Sequence, residues 1–182
     1  MNYRIVAFLI IGLAFFGLSL ANDNDVVTSK FHRKHSGKPD PSGWVAATST
    51  KGGYSVRLPC IFDDFTETQG AEKRYVLECL HGDYKKFVVK KIEYRNIEQA
   101  KQKFRKIREN FEFLFSVTES KYQGNPSIES SGSSPGECMY MQTVYAQSSV
   151  IFMTAMDNET PKCPNLEAMS RQFFNSLIFN KN

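Results

Sequence analysis

One stretch constrains the fold of this chain more than any other, the run NIEQAKQKFRKIRENFEFLF at residues 96–115. Ile97, Ala100, Phe104, Ile107, Phe111 and Leu114 recur at alternating spacings of three and four, which places them in one stripe along a helix of about five turns. Asn96 is a natural N-cap, and Gln99 stands where a capping box places its partner. A helix that is apolar on one side only must bury that side against another element. The segments around it read as strands, so the partner is a sheet.

Tyr54, Val56 and Leu58 alternate with Ser55 and Arg57, a half-buried strand that stops at Pro59. KRYVLECL and YKKFVVKKIEY follow, joined at residues 81–83 by HGD, whose glycine suits a tight hairpin. CMYMQTVYA and SVIFMTAM form a second hairpin that turns at Gln147 and Ser148. NLEAMSRQFFNSLIF closes the chain as another amphipathic helix, with Leu166, Met169, Phe173 and Leu177 inward. SKYQGNPSIESSGSSPGE, rich in Ser, Gly and Pro, reads as loop with at most a short strand near Ser127–Ser131. The expected architecture is α+β, an antiparallel sheet flanked by helices in an α/β/α sandwich.

The N-terminus sets the compartment. Arg4, the apolar run Ile5–Leu18, and small residues at Ser19 and Ala21 match a secretory signal cleaved after residue 21. An uncleaved anchor is the alternative, because the run approaches the ~18–20 residues that span a bilayer. The mature chain then carries no transmembrane anchor and is exported, periplasmic or secreted. Residues 22–50, polar around HRKHSGKPDPSG, read as a flexible leader in which Trp44 is the one residue suited to the core. Residues 51–182 form one domain.

Export makes the four cysteines candidates for pairing. If the last hairpin turns near Gln147–Ser149, Cys138 faces a point near residue 158 and Cys163 is a short loop away. Cys138–Cys163 is therefore easy to close, and Cys60–Cys79 follows by elimination; the two other connectivities stay open. No two cysteines are close in sequence, and His32 and His35 lack a nearby acidic or thiol partner, so no metal site is expected.

Together, GGYSVRLPCIF, the hairpin, NIEQAKQKF, the SSGSSPGE turn and the terminal RQFFNSLIF resemble the PsbP-like superfamily over roughly residues 50–180. That superfamily includes the extrinsic photosystem proteins, the Ran-binding Mog protein and small exported bacterial proteins. The resemblance implies an antiparallel sheet between helices. It transfers no catalytic residue, because fold does not fix activity.

No hydrolase elbow, phosphate-binding loop or zinc-protease helix occurs, and no cofactor is implied. His81 beside Asp83 belongs to a hairpin turn, which accounts for both residues without catalysis. The formal net charge of +4 drops by one with Arg4, too small an excess to indicate nucleic acid. Its distribution says more: residues 85–108 hold ten basic and two acidic side chains. Lys85, Lys86, Lys90 and Lys91 come from the strand, and Lys101, Arg105 and Arg108 form a row on the helix. These seven are the candidate binding residues, for an anionic protein, polysaccharide or lipid surface. The expected function is that of an exported, non-enzymatic binding or envelope-accessory protein. The alternative is a ligand-binding protein or small enzyme whose site is assembled from distant residues.

Overall fold

A computed structural model describes residues 26–134, 137–158 and 165–180. The proposed signal at residues 1–21 lies outside them. Eight strands form one antiparallel sheet in the order β1-β4-β5-β6-β10-β9-β8-β7. They are β1 (Thr28–Ser36), β4 (Phe62–Gln69), β5 (Glu72–His81), β6 (Lys85–Glu93), β7 (Ser116–Tyr122), β8 (Asn125–Ser134), β9 (Glu137–Ala146) and β10 (Ser149–Asp157). A smaller sheet joins β2 (Val45–Thr48), β3 (Tyr54–Leu58) and β11 (Ile178–Phe179) in the order β11-β3-β2. The helices are α1 (Ile97–Leu114) and α2 (Leu166–Phe174).

Strand β10 is the spine of the molecule. Eight of its nine residues are buried, since both faces of the sheet are covered there. Val150 and Phe152 point to one side, into a core with Ile92, Ile107, Phe111, Ile128, Met139 and Met141. Ile151, Met153 and Ala155 point to the other, into a larger core with Tyr54, Leu58, Phe87, Leu166, Phe173 and Leu177. The period-2 alternation of the strand thus divides one sequence between two cores.

Helix α1 explains how the sheet is threaded. It carries the chain from β6, near the middle, to β7 at the edge, and β8, β9 and β10 return to pair with β6. Eighteen residues make a helix of roughly 27 Å, and four strand spacings measure about 19 Å, so one helix spans that half-sheet. Asn96 caps it, its side-chain oxygen accepting from the Gln99 backbone N–H at 2.9 Å. Asn96→Ala is expected to lower stability by about 1 kcal/mol, measured by urea unfolding.

The sandwich expectation needs correction. Helix α1 covers only the β10-β9-β8-β7 half of its face. The opposite face is covered by the β2-β3-β11 sheet together with the nine-residue α2, so the helices do not enclose the sheet as two helical layers. The molecule is a mostly antiparallel α+β fold. The physical cause lies in β3, whose buried Tyr54, Val56 and Leu58 face the main sheet from a second sheet; the Tyr54 hydroxyl donates to the Tyr75 and Val89 carbonyls across the gap.

Two stretches read as irregular are strands. Residues 28–36, inside the expected leader, pair with β4: Phe31 lies on Phe65 at 5.0 Å, and Arg33 reaches the buried Asp64 at 2.9 Å. Trp44, Val45 and Ala47 are buried at the start of the smaller sheet. SKYQGNPSIESSGSS forms the β7–β8 hairpin, turned by Gln123 and Gly124, both at positive φ. Its serines satisfy the ladder through the backbone, and Tyr122 enters the larger core while Ile128 enters the smaller one on the other face. Cys60 and Cys79 form a disulfide, as the elimination argument expected. Cys138 stands opposite Asp157 in register and is disulfide-bonded; its expected partner, Cys163, lies outside the described residues.

Candidate functional site

The structure separates the seven candidate cations into two groups. Strand β6 presents its lysines alternately to the two faces of the sheet, and each meets a carboxylate. Lys85 pairs with Asp157 at 3.1 Å, Lys86 with Glu78 at 2.9 Å, Lys90 with Glu67 at 3.1 Å and Lys91 with Glu93 at 2.8 Å. Lys91 also donates to the Gly52 carbonyl, which ties the main sheet to the loop before β3. All four lysine side chains are less than a quarter exposed. Three are cross-strand ion pairs and the fourth, Lys91–Glu93, lies within β6; their stems cover apolar sheet, a structural use of lysine. Arg108 is likewise engaged, at 3.5 Å from Glu112 and 2.9 Å from Glu119 on β7.

Lys101 and Arg105 differ. Both are exposed on α1, and Lys103 and Lys106 stand exposed beside them. Among the described residues none of these four has a carboxylate partner. Positions 99–107 hold no acidic residue at all. Phe113, 88% exposed, stands on the outward side about two turns beyond Lys106. The candidate surface is therefore a stretch of under two turns of α1, not a strand–helix composite. Sequence reasoning overlooked Lys103 and Lys106 because it followed a single i, i+4, i+7 row, whereas a packed helix exposes more than half its circumference.

Groups with displaced ionisation do not mark a second centre on this face. Burial raises the Tyr54 hydroxyl far above its ordinary range, helped by the charge of Asp64. Burial does the same to Tyr94, with the nearby Glu72 adding to it. Both are held neutral as packing groups. Among the described residues no cluster of His, Cys, Asp and Glu could hold a metal ion, and no helix is long and apolar enough to cross a membrane.

A polar groove lies on the opposite face, where α2 stops short of the sheet edge. It has a volume of about 310 Å³ and is lined by β7, β8, β9 and α2. No sequence signal marks it, because its residues come from four elements.

No protein-family model matches the chain, and no curated protein matches it. Among solved structures it is similar to a crystal structure from Bacteroides thetaiotaomicron VPI-5482, at 13% identity and a TM-score of 0.47. The match covers 78% of this chain and 50% of that one, so the chain spans half the length of that protein.

Proposed function

We propose that this is an exported, non-enzymatic binding or accessory protein that engages an anionic surface through the outward face of α1. One observation carries the reading: Lys101, Lys103, Arg105 and Lys106 are exposed within two turns and lack ion-pair partners among the described residues. Every β6 lysine, by contrast, is neutralised in place. Four unneutralised cations so close together raise the local potential and attract anions at a range set by salt, with a screening length of about 8 Å at physiological ionic strength. Phe113 adds an apolar contact beside them, as interfacial helices use. Export is supported by the Cys60–Cys79 bridge, which needs an oxidising compartment to persist. Membership of the PsbP-like superfamily belongs to the same proposal, supported by the order of a hairpin, α1, the β7–β10 strands and α2.

The test is co-sedimentation with vesicles containing phosphatidylglycerol. Reversing Lys101, Arg105 and Lys106 to glutamate should weaken binding at least about 100-fold, at about 1 kcal/mol for each cation near an anionic surface. Wild-type binding should fall as salt rises. Reversing Lys38, Lys51 and Lys121, exposed elsewhere, changes net charge equally and should have a much smaller effect. Equal losses from the two triple variants, or binding indifferent to salt, would remove α1 as the surface.

A further inference from the structure

On the face opposite the free cations, α2 packs on β10 and β9; Tyr122 and Ser127 are buried at one end of β7 and β8, while Ser116, Thr118, Glu129 and Ser131 at the other end line an open groove. The uncovered sheet surface is polar. Alternation along the strands brings Ser116 and Thr118 of β7, Glu129 and Ser131 of β8, and Tyr140 of β9 to the groove floor. The helix supplies one wall through Glu167 and Arg171. Among the described residues the hydroxyls of Ser116, Thr118, Ser131 and Tyr140 and the carboxylate of Glu129 have no hydrogen-bonding partner.

An ion pair one turn apart links the two wall residues. Arg171 donates from Nε at 3.2 Å and Nη2 at 2.9 Å to Oε1 of Glu167, and both residues line the groove. Hydrogen bonding to Glu167 and its charge raise the Arg171 pKa, and Glu129 and Tyr140 add to the effect, so these four groups share one electrostatic neighbourhood. On the same face of the sheet, Gln142 is directly opposite Glu129 in register. It is buried, and its Oε1 has no hydrogen-bond partner among the described residues.

The chemistry of this set selects its ligand. Two carboxylates against one guanidinium disfavour an anion, and among the described residues no cluster of His, Cys, Asp and Glu could hold a metal ion. Few apolar atoms are offered to a hydrophobic ligand. What remains is a dense array of both donors and acceptors beside an aromatic ring. A neutral polyol fits it, because carboxylates and guanidinium groups can each bond two neighbouring hydroxyls, and a sugar's C–H face can lie on tyrosine. The volume is at the small end of the ~300–1,000 Å³ usual for ligand sites, which suits one or two sugar rings. We infer that the groove between α2 and the β7–β8–β9 sheet surface is a saccharide-binding site, with Glu129, Tyr140, Glu167 and Arg171 as its principal contacts.

The site is independent of the α1 surface and is tested separately. The full mature chain is titrated with D-glucose, D-galactose, N-acetyl-D-glucosamine and their β-linked disaccharides, followed by protein-observed NMR. At least one of these should bind with millimolar or better affinity and shift the amides of β8, β9 and α2. Glu129 is exposed and Tyr140 is half-buried against the larger core; Glu129→Ala and Tyr140→Ala should each weaken that binding at least about tenfold while the remaining amide spectrum is retained. The Lys101, Arg105 and Lys106 reversals should leave it unchanged. Silence across the whole panel, shifts confined to another region, or undiminished binding by both alanine variants would overturn the assignment. So would preferential binding of L-lysine or inorganic phosphate at these residues.

Discussion

Phe173→Ala is expected to be the most damaging single substitution in the described molecule, lowering unfolding free energy by about 3–5 kcal/mol. Phe173 is fully buried in the larger core, and its ring meets Phe87 of β6 edge-on at 5.5 Å and Phe174 at 5.4 Å. The helix it belongs to has few supports of its own. With nine residues, α2 is shorter than the ~12–15 at which an isolated helix becomes even marginal in water, and Asn165 makes no side-chain capping bond. Leu166 and Phe173, one near each end, hold it against the sheet. Truncating Phe173 therefore opens a cavity and also loosens the wall that carries Glu167 and Arg171. In urea unfolding the midpoint should drop sharply, and Tm should fall by on the order of 10 °C. Phe113→Ala is the matched control: the same deletion at an exposed position should change stability by no more than about 0.5 kcal/mol. A Phe173→Ala loss below about 1 kcal/mol would be incompatible with a close-packed position.

What could be read in advance follows from how strongly each segment commits to one period. Helix α1 was legible to the residue at its N-terminus, because six apolar positions and an Asn cap all require the same geometry. The β5–β6 and β9–β10 hairpins were legible for a similar reason, the first from its glycine turn and the second from uninterrupted β-rich sequence. Strands β7 and β8 were not. Their serines, glycines and prolines are turn formers in isolation, and only the ready ladder of β9 makes an extended conformation the better choice for them. Strand β1 failed in the same way, since its stability comes from the distant Phe65 and Asp64. The smaller sheet escaped notice because an alternating strand such as β3 does not reveal which sheet it joins. The charge cluster was legible as composition, but not as a surface. Ion pairing depends on register, and it was the register of β6 against β5 and β10 that neutralised Lys85 and Lys86 and left α1 exposed. The groove had no sequence signature, because it exists only where a helix ends short of a sheet edge.

Removing the Cys60–Cys79 bridge should have the second-largest effect. The two cysteines are 19 residues apart, and closing a loop of that length restricts the unfolded chain enough to stabilise the fold by about 3 kcal/mol. The position of the bridge adds to its importance. Cys60 follows β3 in the smaller sheet and Cys79 lies in β5 of the main sheet, so the bond fastens one sheet to the other. Cys79 is 2% exposed and packs in the larger core. His81 Nδ1, 3.0 Å from the Pro59 carbonyl, makes a polar contact across the same junction but offers no covalent restraint. The double variant Cys60→Ala/Cys79→Ala leaves no unpaired thiol from this bridge, and it should unfold at lower urea concentration with a loss of about 2–5 kcal/mol. Because Cys138 is also disulfide-bonded, reductant should lower the midpoint of this variant further. It should lower the wild-type midpoint by more, since two constraints are then lost together. A double variant as stable as the wild type would show that the unfolded chain stays compact without the bond, or that the two sheets are held together by Tyr54 and Phe173 alone. A Tyr54→Phe substitution in the same background separates these cases, because it deletes the hydroxyl that spans the sheets and leaves the ring packing in place.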